Sequence, residues 1–331
     1  MSFWNTKTIS YTRKTKGIET RSLLTTIQIQ IKLDTAIRNY SLGQEWVYLK
    51  IYSGPKVLEK ILTEEIYSLA TACYEDKIID RFFFIRYFDE DYHLRLRFRI
   101  IDPKQDTATI IQKINTALAP YIESKIIWKV TYDTYNRELE RYGSNTIDEA
   151  ETLFSFESLI VIESLHLIML NEDGFGDDTT WLYTIRIINF LLDAFSLDTV
   201  SKMKILQSYT DGMVQEFKVE KDGRQVLNDL YRDKRKELEM MFDKSLDLKI
   251  DNVIKRYANV EAIQLAIAKI HRLRVANELE MDFVALMHSL MHMTNNRMFR
   301  TNQRQNELYV YYLMSKCLTS IDAKERKNGN S

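Results

Sequence analysis

The sequence predicts an α+β fold, in which an antiparallel sheet with two helices precedes a large helical region. Two observations lead to this prediction. Between residues 46 and 132, the apolar patterns follow the order strand, helix, strand, strand, helix, strand. After Pro120 the chain contains no proline, and its glycines fall between amphipathic runs of helical period. The order of the first part is that of the ferredoxin-like (split βαβ) arrangement, whose helices cover one sheet face and leave the other free.

The elements of the first part are predicted from alternation, helical period and breakers. Ser53-Gly54-Pro55 ends the first strand, and Asp102-Pro103 ends the third strand. The predicted elements are, in order, a strand over Trp46–Tyr52, a helix over Val57–Tyr74, strands over Arg81–Phe88 and His93–Ile100, a helix over Thr107–Ile122 and a strand over Lys125–Tyr132.

The second part reads as helices throughout, and together the patterns divide the chain into four regions. Apolar residues of helical period predict helices near 147–171, 178–197, 200–218, 224–243, 251–275, 279–296 and 304–320. The predicted regions are an N-terminal arm and extension (1–44), the ferredoxin-like part (45–143), the helical part (144–322) and a flexible polar tail (323–331). Within the first region, Ser22–Tyr40 mixes helical and strand spacings, which leaves its structure open.

Composition and charge exclude several function classes. Lys and Arg number 46 against 47 Asp and Glu, a net charge of −1, so direct nucleic-acid binding is not expected. Cys73 and Cys317 are far apart in apolar helical contexts, which favours neither a disulfide framework nor a metal site. The sequence contains none of the runs of about 18 apolar residues that predict a membrane span. We therefore expect a cytoplasmic protein with reduced thiols.

The fourth predicted element has an apolar face and a cationic face. With the period of two of a strand, Leu94 and Leu96 point one way, whereas His93, Arg95 and Arg97 point the other way. One interpretation is a solvated outer face paired with acidic residues. The alternative is an anion site on the open sheet face, because the planar guanidinium group matches carboxylate and phosphate.

Two further clusters contain groups that could carry chemistry. Directly after the last predicted strand, Glu138 and Arg141 share one face of a predicted helical turn, where they form either a solvated ion pair or a cluster that faces the strand arginines. His292 is a candidate base, although a lone histidine is more often a core residue. His288 lies four residues before it, but no third ligand of fitting spacing is evident, so no metal is expected. Nucleotide and dinucleotide motifs are missing from the sequence, so no cofactor is expected.

These motifs, in this order, resemble the C-terminal glutamate-elimination domain of tRNA-dependent lantibiotic dehydratases, also called the thiopeptide-type bacteriocin biosynthesis domain. The resemblance extends from about Trp46 to about Leu318. It rests on Trp46-Val-Tyr-Leu-Lys-Ile-Tyr52, Phe84-Ile-Arg-Tyr87 with Asp89, His93-Leu-Arg-Leu-Arg-Phe98, Tyr135-Asn-Arg-Glu-Leu-Glu-Arg-Tyr-Gly143, Ala150-Glu-Thr-Leu-Phe154 and His292-Met-Thr-Asn-Asn-Arg297. The chain departs from the family at Ser144, where a second glycine is frequent, and at Glu157, where aspartate is frequent.

The resemblance implies a lyase that removes glutamate from glutamylated Ser or Thr of a ribosomally made precursor peptide and leaves dehydroalanine or dehydrobutyrine. By the same resemblance, the catalytic residues are Arg95, Arg97, Glu138, Arg141 and His292, and His93 and Arg297 are expected to bind substrate. Full-length dehydratases carry a long N-terminal domain that transfers glutamate from glutamyl-tRNA. This chain resembles the free-standing form, so a separate glutamylating protein is the expected partner, along with the glutamylated precursor peptide.

Two other functions remain open. Free-standing relatives called pyridine synthases join two dehydroalanines by cycloaddition and need no glutamate pocket. A non-catalytic protein that binds the peptide for a glutamylating enzyme is the third possibility. Elimination predicts that the cationic row faces a cleft between the sheet and the helical part, with His292 within reach of that cleft.

Overall fold

A computed structural model describes residues 36–171 and 173–329. The residues from Ala36 onward form one compact unit, so the predicted ferredoxin-like and helical parts share a single core. The N-terminal arm predicted from Met1 to Gly17 lies outside the described residues.

The main sheet has the predicted topology. Its strands are β2 (Trp46–Tyr52), β3 (Ile79–Phe88), β4 (Tyr92–Ile100) and β5 (Lys129–Asp133), in the spatial order β3-β4-β2-β5, and every pairing is antiparallel. This order confirms the ferredoxin-like arrangement. A small second sheet, which the sequence did not predict, pairs β1 (Asn39–Tyr40) with β6 (Tyr135–Asn136).

Two helical segments cover the apolar face of the main sheet. The first consists of α1 (Pro55–Ile61), a π-helical turn (Leu62–Ile66) and α2 (Tyr67–Glu75), and the second is α3 (Pro103–Glu123). Leu94, Leu96 and Phe98 are fully buried beneath them. α3 begins four residues before the predicted start, because the Asp102 side chain accepts a hydrogen bond from the Lys104 N–H (3.1 Å) and proline is well tolerated at the first helical position.

The last strand begins later than predicted. The sequence predicted a strand from Lys125, whereas β5 starts at Lys129. Lys125 adopts a left-handed conformation (φ 58°), and the N–H groups of Ile126 and Ile127 both donate to the Tyr121 carbonyl (2.9 Å). These residues therefore complete the C-terminal turn of α3 before the chain becomes extended.

The remaining chain is helical. The helices are α4 (Leu139–Tyr142), α5 (Ile147–Leu170), α6 (Thr179–Ala194), α7 (Thr199–Glu216), α8 (Lys221–Asp233), α9 (Arg235–Met240), α10 (Lys249–Ala258), α11 (Glu261–Val275), α12 (Phe283–Met298) and α13 (Gln303–Gly329). Two helices predicted as continuous are divided, at Lys234 and at Asn259-Val260, where Val260 is extended (ψ 128°). The second break allows both α10 and α11 to pack on α5.

α13 continues into the segment predicted as a flexible tail. Lys324 forms an ion pair with Glu239 of α9 (2.7 Å), and Arg326 forms an ion pair with Asp322 one turn earlier (2.9 Å). The segment is polar, as expected, but its residue types favour helix, and these contacts stabilise the extension as far as Gly329.

α5 is the central helix of the molecule. Of the helices described, it alone is long and apolar enough to cross a membrane, yet it contacts β3, α10, α11 and α12, and most of its residues are buried. It is therefore a core helix. Its serines also cover the outer edge of β3, because the N–H of Phe82 donates to Ser155 (2.9 Å) and that of Phe84 donates to Ser158 (3.3 Å).

Candidate active site

A cleft of about 350 Å³ lies on the cationic face of the sheet. Its floor is formed by side chains of β2 and β4, and its wall by the chain from β5 to α4, with Arg38 at one side. The lining residues are Arg38, Tyr48, Lys50, Arg95, Arg97, Asp133, Thr134, Asn136, Arg137, Glu138 and Glu140. The structure therefore brings the predicted residues Arg95, Arg97 and Glu138 into one cleft.

Arg97 is held at the floor of this cleft by aromatic rings. Its side chain lies among Tyr48, Tyr135 and Phe83, whose ring centroids are 4.5, 4.8 and 5.2 Å from Cζ. The residue is only 6% exposed, and its Nε and Nη1 atoms have no hydrogen-bond partner among the residues that the structure describes. Cation–π contacts thus fix the guanidinium group at the floor of the cleft, and two of its hydrogen-bond donors remain unsatisfied by the described residues.

His93 positions Arg95, its neighbour along the cationic row. Arg95 lies over the Tyr87 ring (3.4 Å from Cζ to the centroid) and donates from Nε to His93 Nε2 (3.1 Å). His93 Nδ1 lies 3.0 Å from the Asp91 carbonyl, so Nδ1 carries the proton and Nε2 accepts. Burial lowers the pKa of His93, which favours this neutral form. The ring is 1% exposed and contacts Arg95, so the structure leaves little room for the direct substrate contact expected from the sequence.

The acidic residues of the cleft have cationic partners of their own. Asp133 binds Lys50 (2.7 Å), and this hydrogen bond lowers the pKa of the Asp133 carboxyl group. At the mouth of the cleft, Arg38 and Glu140 form an ion pair (2.6 Å). Glu138 pairs with Arg141 (3.2 Å), as the sequence predicted for the turn that they share. Within residues 36–171 and 173–329, no carboxylate forms an ion pair with Arg95 or Arg97.

Sequence reasoning missed the groups that support the cleft wall. Arg137 is buried and binds Glu151 through two nitrogens (2.7 and 2.5 Å), and Tyr135 donates to the same carboxylate (2.7 Å). The sequence signal for this network was weak, because Glu151 is one of five acidic residues in α5. Tyr48 and Lys50 could have been found, because strand alternation puts them on the face of the arginines.

His292 lies outside the lining of the cleft, in a second polar cluster. Its Nδ1 is 3.0 and 3.1 Å from the two carboxylate oxygens of Glu307, which is fully buried. Glu307 also accepts hydrogen bonds from Tyr311 (3.0 Å) and Arg304 (2.6 Å). The carboxylate therefore holds the proton on Nδ1 and leaves Nε2 of the imidazole as the basic nitrogen.

Arg141 and Tyr209 lie between the two clusters. Burial raises the pKa of the Tyr209 phenol, which also lies in the fields of Glu307, Arg304 and Arg141. Arg141 in turn pairs with Glu138 at the edge of the cleft. Polar residues thus run from the cleft past Glu138, Arg141 and Tyr209 toward the cluster of His292. The lining of the cleft, however, lies entirely between residues 38 and 140, so the structure places neither His292 nor the helical part in it, in contrast to the cleft between sheet and helices that the sequence predicted.

Arg297, which the sequence suggested for substrate binding, is an interior residue. It is fully buried, donates from Nε to the Phe84 carbonyl of β3 (2.9 Å) and binds Glu157 of α5. The neighbouring Asn296 bonds both backbone groups of Arg86 on the same strand (3.0 and 2.8 Å). These contacts join α12 to the sheet edge and to α5. Arg297 therefore anchors α12, and its burial leaves a ligand no access to the side chain.

With this geometry, comparison with known proteins identifies the family. The chain belongs to the family described as lantibiotic biosynthesis dehydratase C-term, which matches residues 46–318. It is 24% identical over 292 residues to the nisin biosynthesis protein NisB of Lactococcus lactis subsp. lactis, a match that covers 83% of this chain and 26% of NisB. The chain therefore spans about a quarter of that relative's length. The resemblance inferred from the sequence is confirmed.

Solved structures share the fold. The tRNA dependent lantibiotic dehydratase MibB from Microbispora sp. 107891 is similar with a TM-score of 0.63 and 21% identity, over 87% of this chain and 29% of MibB. TbtD, the pyridine synthase from thiomuracin biosynthesis, is similar with a TM-score of 0.56 and 12% identity, over 84% of this chain and 99% of TbtD.

Proposed function

We propose that this protein eliminates glutamate from glutamylated Ser or Thr of a ribosomally made precursor peptide. Membership of the dehydratase family supports a role in peptide dehydration. The observation that carries the finer proposal is the pair Arg95 and Arg97, two fixed guanidinium groups in one cleft without a carboxylate partner. A leaving glutamate has two carboxylates that such a pair binds well.

The proposed reaction is a β-elimination. A base removes the α-proton of the glutamylated residue, and that electron pair forms the Cα–Cβ double bond. The Cβ–O bond breaks, and glutamate leaves with its former ester group as a free carboxylate. The developing negative charges are on the peptide carbonyl next to Cα and on the leaving carboxylate, where preorganised guanidinium groups are most effective.

The positions of the side chains suggest how the roles divide. Arg95 and Arg97 bind the leaving glutamate, and Arg141, which Glu138 orients, stabilises charge at the edge of the cleft. His292 takes the α-proton through Nε2, with Glu307 fixing the tautomer. A substrate whose leaving glutamate lies in the cleft and whose α-proton faces His292 lies across Arg141.

The proposal implies two partners. One is the glutamylated precursor peptide, and the other is a separate protein that attaches glutamate from glutamyl-tRNA. Since the net charge of the chain is −1, we do not assign tRNA binding to it. We place the reaction in the cytoplasm, where the buried thiols of Cys73 and Cys317 stay reduced.

A second candidate is a cycloaddition of the pyridine synthase kind. It is favoured by the similarity to TbtD, since the match covers 99% of that chain. Such a reaction joins two dehydroalanines and releases no glutamate. It therefore provides no carboxylate that the two unpaired arginines of the cleft could bind. The site of this chain therefore favours elimination.

The experiment is intact mass analysis of the precursor peptide after co-expression with the glutamylating partner and with variants of this protein. We expect Arg97→Ala and His292→Phe to accumulate glutamylated peptide, because glutamylation continues while elimination stops. Each lost charge-assisted hydrogen bond at Arg97 is worth about 1.5–3 kcal/mol, and loss of a general base costs about 100- to 10,000-fold in rate.

Matched controls are Arg232→Ala and His271→Phe, which make the same chemical changes at exposed positions of α8 and α11. Both should give fully dehydrated peptide. Normal dehydration with Arg97→Ala and His292→Phe would refute elimination by these residues and would favour a non-catalytic binding role. Accumulation of dehydrated, uncyclised peptide in those variants would instead support cycloaddition.

A further inference from the structure

The two edges of the main sheet differ in how the surrounding chain covers them. At the β3 edge, side chains of α5 and α12 satisfy the outward N–H groups of Phe82, Phe84 and Arg86. At the opposite edge, β5 pairs only with β2, and its residues are exposed or half-buried. In the part of the chain that the structure describes, no helix, strand or side chain covers the outer edge of β5.

The register identifies which groups of β5 point outward. The Ile100 N–H donates to the Glu45 carbonyl (2.7 Å), so alternate residues of β2 bond to β4, beginning with the position before Trp46. The residues between them, including Lys50, bond to β5, and Lys50 is opposite Thr131. The backbone N–H and C=O groups of Val130 and Tyr132 therefore point away from the sheet and are available to an added strand.

The open edge leads directly to the proposed active site. Asp133 ends β5 and lines the cleft, and Thr134 follows it there. At the other end of the strand is an exposed apolar patch that consists of Ile122, Ile126 and Trp128, the last of which is 52% exposed. By strand alternation, an added strand directs every second side chain toward the arginine face and the others toward the side of the sheet where this patch lies.

We propose that an extended segment of the peptide substrate adds to β5 as a fifth strand, which guides a glutamylated residue into the cleft. This inference rests on the proposed elimination, since it assigns the substrate's backbone to a surface next to the arginines. Hydrogen bonds to backbone groups are independent of sequence, so the edge can accept different Ser and Thr residues of one precursor in turn. Shifts of two residues keep the same face toward the cleft.

The test uses two synthetic substrates. One is a peptide of about ten residues in which serine alternates with valine, with one O-glutamylserine at its centre. The other is N-acetyl-O-glutamylserine methylamide, which is too short to form a strand. Elimination from both is measured with the full chain and with two variants. Val130→Pro removes an outward N–H without removing a bond to β2, and Val130→Thr is the control that keeps the N–H.

We expect Val130→Pro to raise KM for the long peptide by about threefold to tenfold, as loss of a backbone hydrogen bond predicts, with kcat unchanged. Both variants should process the capped residue as the wild type does. N-methylation of alternate residues on one edge of the peptide should produce a similar rise in KM, whereas N-methylation on its other edge should not. This second measurement does not depend on the folding of a variant.

Amide hydrogen exchange at residues 129–133 separates the two proposals. Protection on adding the long peptide, without elimination of either substrate, would retain the docking surface and refute the lyase function. Equal KM values for Val130→Pro and Val130→Thr, with no effect of N-methylation, would overturn the docking surface and leave elimination standing. A dimer that Val130→Pro dissociates, or β5 amides that become exposed only after deletion of residues 1–35, would assign the edge to another occupant and also overturn the inference.

Discussion

Arg97 and Arg297 are two buried arginines that are linked by a pair of aromatic rings, and they differ in their hydrogen-bond partners. Arg97 lies 5.2 Å from the Phe83 ring, Arg297 lies 5.0 Å from the Phe154 ring, and the two rings are 5.6 Å apart. Arg297 binds a carboxylate and a backbone carbonyl. Arg97 lies among aromatic rings, and two of its nitrogens have no hydrogen-bond partner among the described residues.

The difference separates a charge that supports the fold from a charge that supports binding. A buried cation without an acceptor costs free energy, which the fold tolerates only where other contacts compensate or where a ligand completes the site. The aromatic rings around Arg97 supply part of that compensation, and the guanidinium group lines the cleft in which we propose that an anion binds. Around Arg297 the compensation is complete within the protein, apart from Nη2.

The largest expected effect comes from making the same substitution at both positions. Arg297→Met should lower the free energy of unfolding by about 3–5 kcal/mol, because the largely buried Glu157 side chain (12% exposed) loses its counter-charge. Arg97→Met should change it by less than about 1 kcal/mol, since no carboxylate loses a partner and methionine packs well among aromatic rings. Urea unfolding followed by circular dichroism measures both.

The pH dependence of the Arg297→Met variant sharpens this comparison. Burial raises the pKa of the Glu157 carboxyl group even with Arg297 present. Without the arginine, the folded variant should bind a proton there more readily than the unfolded chain does, so its deficit in stability should shrink as the pH falls. Equal deficits at about pH 5 and pH 8 would show that the ion pair is not the cause.

A smaller effect is expected at Glu307, where the paired group belongs to the proposed machinery. Glu307→Gln keeps an acceptor for His292 Nδ1 but replaces a charged partner of the imidazole with a neutral amide. We expect kcat for elimination to fall at least about tenfold with KM unchanged, because the amide fixes the ring and its tautomer less firmly. A purely structural role would instead lower the free energy of unfolding and leave kcat of the folded enzyme unchanged. Glu216→Gln, which alters the other carboxylate bound to Arg304, is the control.

The same contrast explains how much of the molecule could be predicted from its sequence. β2 matches the predicted strand Trp46–Tyr52, and β3 and β4 begin within two residues of their predicted starts, because alternation is a local pattern. The start of β5 and the small β1–β6 sheet were not predicted, because they depend on the helix end and on contacts between distant residues. The cationic row followed from the same period. The partners of the buried polar groups could not be predicted from the sequence, because Glu307 is separated from His292 by a break between two helices. Similarly, Arg297 belongs to a polar run that resembles a solvated helix end until α12 packs on β3.

The smallest expected effect concerns His93, which accepts a hydrogen bond from Arg95 and lines no part of the cleft itself. His93→Phe keeps a ring between Tyr52 and Tyr87 but removes the acceptor of the Arg95 Nε–H. The lost hydrogen bond is worth about 0.5–1.5 kcal/mol, so we expect elimination to slow by about threefold to tenfold, mainly through KM.

The pH profile distinguishes this positioning role of His93 from simple packing. Burial lowers the pKa of His93 below its ordinary value of 6.5, while Asp89, 3.7 Å from Nδ1, favours the charged form. The neutral ring is fully present above the ordinary pKa, and its contact with Arg95 is lost as the pH falls through the lowered value, because protonated Nε2 can no longer accept. The wild type should therefore lose affinity for the glutamylated peptide as the pH falls below the ordinary pKa of histidine, and His93→Phe should lack that acid-dependent step. If the KM of the variant rises on acidification as steeply as that of the wild type, the proton on His93 does not control Arg95.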